Sequence, residues 1–158
     1  MTQAPMPMET TMGYAPPTVT QFSVFLVNKV GKLFDLARKF DTSSCKVCAL
    51  SVHEASDHAV VRIITNQAAI ARRMLIEDNL PFSERAVLVV ELCKGHTLAS
   101  MCMTLLSAEL QIHFAYPMLH GPGHDATIAL SCDDQTLAGQ VLRRKEFRLF
   151  GEAELGNI

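Results

Sequence analysis

The chain contains its own pattern twice. Shifted by about 65 positions its halves superimpose: Leu33 falls on Leu98, Leu36 on Met101, Phe40 on Leu105, Val47 on Ile112 and Phe82 on Phe147. The breaks between periodic segments fall in matching places as well. Any structure for this chain must therefore serve one supersecondary pattern twice.

Each half reads strand, helix, strand, strand, helix, strand. Residues 22–27 are apolar and rich in β-formers, and Leu33, Leu36, Ala37 and Phe40 recur at the spacing of one helical stripe. Residues 46–53 and 58–65 read as strands flanking a polar turn. Residues 67–78 read as a helix with Ala68, Ala71, Met74 and Leu75 on one side, and a strand resumes from about Ser83. In the second half, strands are expected over 86–92, 111–116, 126–132 and 147–150. Leu98, Met101, Cys102 and Leu105 mark one helix between them, and Asp133-Asp134 opens another with Leu137, Ala138, Val141 and Leu142 apolar.

A unit of about 65 residues is too long for a solenoid repeat and suits a ferredoxin-like βαββαβ sandwich. The expected class is α+β: two ferredoxin-like units, over residues 21–85 and 86–158, with antiparallel sheets and helices packed on one face. Units this small are marginal alone, so pairing is expected to add buried area. Residues 1–20, rich in Met, Thr and Pro and without periodicity, read as a flexible tail.

Composition excludes several classes. Of 158 residues, 49% are apolar and 19% charged, which is enough for a packed core and too little charge for global disorder. Net charge is −2, and no Lys/Arg stripe interleaved with aromatics signals a nucleic-acid surface. Arg72-Arg73 and Arg143-Arg144-Lys145 sit late in expected helices, where cations suit the dipole. No apolar run approaches the roughly 20 residues that span a bilayer. The first 20 residues have no positive charge and no apolar h-region, so no secretory signal is expected. Five cysteines in expected core elements fit a reducing compartment, and cytoplasm is the expected location.

The segment Val27-Asn-Lys-Val-Gly-Lys-Leu33 joins the first strand to the first helix. With Lys46-Val-Cys-Ala-Leu-Ser51, Val60-Val-Arg-Ile-Ile64 and Val87-Leu-Val-Val-Glu-Leu92 downstream, it resembles the ACT domain signature, and the resemblance extends over residues 21–152. Val30 stands where many family members carry Pro. The second copy, Cys93-Lys-Gly-His-Thr-Leu98, keeps Gly and Leu but sets two residues between them. The resemblance implies a tandem ACT domain protein, a non-catalytic regulator without cofactor. Such a protein binds an amino acid or similar small effector where a strand–helix loop faces a neighbouring domain. It also implies a homo-oligomer. An alternative partner is a biosynthetic enzyme such as acetohydroxyacid synthase, whose small subunit carries this domain type.

Elementary chemistry supports the same loop. First-turn amides of a helix lack intrahelical acceptors and carry partial positive charge, which suits a carboxylate. Gly31 permits close approach without a Cβ, and Asn28 offers both donor and acceptor. The ligand-binding candidates are Asn28, Lys29, Val30, Gly31, Lys32 and Leu33, with Gly95, His96, Thr97 and His113 in the second half; no catalytic or metal residues are assigned.

Other motifs are weaker. Cys45 and Cys48 have CxxC spacing, but at a strand start residues three apart face opposite sides about 10 Å apart, beyond disulfide reach. A metal or redox module using them and the histidines is the alternative of another class. His120 and His124 sit in an expected exposed hairpin loop, and no second CxxC accompanies them. His113 and Tyr116 should point to opposite faces of their strand.

Overall fold

Alternation along β1 (Val19–Val27) and β4 (Phe82–Leu92) organises the molecule. Phe22, Val24 and Leu26 point to one side, where they pack with Leu36 and Phe40 of α1 (Lys32–Asp41) and with Ala71 and Leu75 of α2 (Ala68–Glu77). On the same side, Leu88 and Val90 pack with Met101 and Leu105 of α3 (Leu98–Ser107) and with Ala138 and Leu142 of α4 (Gln135–Arg144). These four helices thus cover one face. The computed structural model describes residues 15–27, 29–93, 95–120 and 123–157.

The remaining strands are β2 (Val47–Glu54), β3 (His58–Thr65), β5 (Ile112–Pro117) and β6 (Ala126–Cys132). They join β1 and β4 in one antiparallel sheet of order β2-β3-β1-β4-β6-β5. The sequence pattern leads one to expect two antiparallel sheets, one in each unit. The structure corrects this: β4 runs unbroken, pairing with β1 from Phe82 to Val87 and with β6 from Leu88 to Leu92. Residues 82–92 contain no Gly or Pro to interrupt a ladder, and β1 and β6 each supply a partner for part of that length. At its centre Val87, Leu88, Val89 and Val90 are all fully buried, so neither face of the strand meets solvent there.

The sheet's other face meets itself. Edge strands β2 and β5 approach through an Ala49–Met118 bridge, and the Leu119 amide donates to the Cys48 carbonyl at 2.7 Å. The sheet curls around an inner core of Val19, Ile64, Val87, Val89, Tyr116, Met118 and Ala129, plugged by Leu155 of a 3₁₀ helix (Glu152–Asn157). Within this core the Tyr116 hydroxyl donates to Gln21 Oε1 at 2.6 Å, joining β5 to β1 across the interior.

Two further expectations are revised. The strand over 147–150 reduces to one bridge, Leu149 with Val90, flanked by hydrogen bonds from Glu91 to Arg148 and from Phe150 to Val89. The tail reading also ends sooner. Residues 1–14 lie outside the described residues, but Val19 and Thr20 already pair with β4. Pro16 lies so close to α4 that a Cβ on Gly139 would collide with its ring. Burial of Val19 holds this segment in place. Among the described residues, no helix is long and apolar enough to cross a membrane.

Three helices end alike. Asn79, Glu109 and Glu146 adopt left-handed φ of 53°, 57° and 66°, and the amides of Leu80, Leu110 and Phe147 return to the carbonyls of Leu75, Leu105 and Leu142. These are Schellman closures, in which glycine is favoured because a Cβ is strained there. Glu109→Gly and Glu146→Gly, both at exposed positions, should each raise stability by about 0.5–1 kcal/mol in chemical denaturation. Tyr116→Phe should cost about 1–3 kcal/mol at neutral pH by leaving Gln21 without its buried donor. Burial raises the Tyr116 phenol above its ordinary pKa of 10.0, so its stabilising effect is full below that value and declines as pH rises beyond it. The deficit of the Phe variant should accordingly narrow in alkaline melts.

Candidate functional site

The β1–α1 connection borders an open cleft of about 330 Å³. Lys29, Lys32 and Leu33 form its loop side, while Val52 and Glu54 of β2 and Ala59 and Val61 of β3 form the floor. Three strand edges and one helix start converge here because β3 lies between β2 and β1 in the sheet. Gly31 is the N-cap of α1 at φ 89°, a conformation that L side chains rarely adopt, and a Cβ there would meet nothing within 4 Å. Val30 is fully exposed beside it. Asn28 lies outside the described residues.

The helix starts differ in how their amides are satisfied. The Thr97 side chain accepts from the Ser100 amide, and the Ser100 side chain accepts from the Thr97 amide in return, closing a capping box on α3. Asp134 accepts from the Leu137 amide on α4, and the Glu152 carboxylate accepts from the Ala68 amide on α2. At α1, among the described residues, no side chain caps the first turn, and the amides of Leu33 and Phe34 find no acceptor. Two lysines flank this terminus. Positive partial charge, two cations and open space make it receptive to an anionic group.

The second-half candidates form no equivalent arrangement. Gly95 shares the positive φ, at 87°, but Thr97 is engaged in its capping box and His96 stacks on Phe147 with ring centroids 4.0 Å apart. His113 is exposed on β5 where the register with β6 shifts, and neither it nor Gly95–Thr97 belongs to the wall of the α1 cleft. Tyr116, by contrast, is buried in the inner core.

Cys45 packs in the helix-side core and Cys48 in the inner core, on opposite faces of the sheet. Burial pushes the Cys48 thiol up, and burial with Asp133 nearby pushes Cys132 up to about 11. These thiols are packing groups. Sequence reading missed another cluster: Glu91, Cys93 and Asp125 bring donor atoms within 4.8 Å of one another. The i, i+2 spacing of Glu91 and Cys93 was its visible half; Asp125 joins only through strand pairing.

These features define a class: an α+β module with an open cleft at a strand–helix loop. The family described as ACT domain pair matches residues 17–158, and the chain belongs to that family. Its domains serve regulation by binding small ligands. Among solved structures, protein BT0572 from Bacteroides thetaiotaomicron is similar, with TM-score 0.79 and 20% identity over 91% of this chain and 99% of that one. The ligand-free regulatory subunit of aspartate kinase from Thermus thermophilus is similar at TM-score 0.51 and 9% identity, over 82% and 93%. Both likenesses concern the fold. No curated protein matches the chain.

The unequal caps are directly measurable. Thr97→Ala should destabilise the protein by about 1 kcal/mol in denaturant titration, the ordinary worth of an N-cap.

Proposed function

We propose that this protein is a non-catalytic sensor of an amino acid or close analogue, built from two ferredoxin-like units that share β4 and divide near residues 85–86. The single observation that carries the proposal is the α1 terminus, which no side chain among the described residues caps, opening onto a cleft flanked by Lys29 and Lys32. An α-amino acid matches this wall group by group. Its carboxylate meets the Leu33 and Phe34 amides with Asn28, Lys29, Val30, Gly31 and Lys32 around it. Its ammonium turns toward Glu54, and its side chain lies against Leu33, Val52 and Val61. Gly95, His96, Thr97 and His113 receive no equal share, because the Thr97 and Ser100 side chains are already engaged with the Ser100 and Thr97 amides.

An amino acid of about nine heavy atoms reaches at best micromolar affinity, which suits metabolite sensing. Binding would control a partner only where affinity differs between two arrangements of the protein. Exposed Val27, Val30 and Phe34 beside the cleft favour a second reading, a regulatory subunit seated on a biosynthetic enzyme such as acetohydroxyacid synthase. Assembly with further copies of itself and a cytoplasmic location complete the reading; all five cysteines remain thiols, as a reducing compartment would keep them.

A thermal-shift screen of the proteinogenic amino acids at millimolar concentration tests this. A ligand at 100 times its Kd should add about 2.7 kcal/mol of stability. Lys32→Glu should weaken binding about tenfold or more by calorimetry, equivalent to about 1.4 kcal/mol. No shift with any amino acid would overturn the sensor reading, and full affinity in Gly31→Val would clear this loop.

A further inference from the structure

Along β4 the odd-numbered residues face the inner core, and Val87 and Val89 are buried there. The same parity carries Glu91 and Cys93 to the rim of the curled sheet. Leu88 pairs with Leu130 and Leu92 with Ala126, so one more step of this register sets Asp125 opposite Cys93. Strand spacing supplies two donors and strand pairing the third. The carboxylate of Glu91, the thiol of Cys93 and the carboxylate of Asp125 lie within 4.8 Å of one another. The Cys93 thiol donates to Glu91 Oε2 at 3.3 Å. His124 is not in that group of three; it lines a cleft of about 240 Å³ beside Glu91 and Asp125, together with Arg148 and Glu154.

We propose that Glu91, Cys93 and Asp125, with His124 as fourth donor, form a binding site for a divalent transition metal of the zinc class.

The donor set chooses the metal. One thiolate, one imidazole and two carboxylates suit a borderline cation at about 2.0–2.3 Å and exclude calcium or magnesium, which take oxygen ligands. A metal ion held by all four needs its donors within about 4 Å of one another, so three of them require only a small contraction. With its thiol proton released, the set carries three negative charges, and a divalent ion removes two of them; Arg148, 4.0 Å from Glu91, is itself paired with Glu154 at 3.2 Å, so the loaded site stays anionic. The site lies on the second half's strand–helix connection, away from the wall of the α1 cleft, and does not depend on the sensor reading.

The test is titration of the full chain with cobalt(II) as an optical probe, followed by zinc competition. It uses a Cys102→Ser background, because Cys102 is exposed on α3. One equivalent should bind, with thiolate-to-cobalt charge-transfer absorption and release of protons. Cys93→Ser should abolish the charge-transfer band, and Glu91→Gln, Asp125→Asn and His124→Ala should each weaken binding about tenfold or more. Asp125 and His124 are exposed, so their variants should keep the wild-type melting curve without metal and isolate the binding effect. Absence of stoichiometric binding, or a charge-transfer band that persists in Cys93→Ser, would overturn the site. Undiminished binding in His124→Ala would overturn the four-donor set.

Discussion

Everything in this protein hangs on the continuity of β4. Its first six residues complete the ladder of β1, and its last five begin the ladder of β6. Neither half has a complete sheet without this strand. Because it is continuous, the twist of one half is transmitted to the other, and the six strands curl until β2 and β5 meet. The inner core exists only as a consequence of that curl. It draws residues from all six strand regions and from the 3₁₀ helix, so no half could bury it alone.

The curl also explains how two units of about 65 residues reach stability. Each has its own helix-side core, which the repeat requires. The inner core is the additional apolar burial, and it includes the polar Tyr116–Gln21 bond that ties β5 to β1. A satisfied polar pair inside an apolar core favours one register of approach, because any other leaves both groups unpaired.

The two strand–helix loops have diverged in chemistry while keeping their geometry. Gly31 and Gly95 have nearly the same φ. Beyond them, one extra residue separates glycine from leucine in the second loop, and Thr97 takes the capping position, where its side chain accepts from the Ser100 amide. Among the described residues of the first loop no side chain does this, and the Leu33 and Phe34 amides find no acceptor between two lysines. In the second half, chemistry shifts instead to the strand end and the facing β5–β6 connection, where Glu91, Cys93 and Asp125 gather.

Much of this was legible in the chain. The strands over 58–65 and 126–132 match β3 and β6 residue for residue, because apolar β-forming runs bounded by polar turns are local signals. Leu36 and Met101, or Phe40 and Leu105, occupy corresponding core positions, as the repeat required. The opposed faces of Cys45 and Cys48 followed from strand geometry alone. Tertiary structure decided the rest. That adjacent strands 82–87 and 88–92 would be one element depends on two partners sharing it. That Val19 and Thr20 are strand depends on β4 lying beside them. The union of Asp125 with Cys93 depends on the β4–β6 register. Local periodicity selects helices, strands and their buried faces; which distant residues meet is set by pairing and curl, and no window along the chain contains both partners.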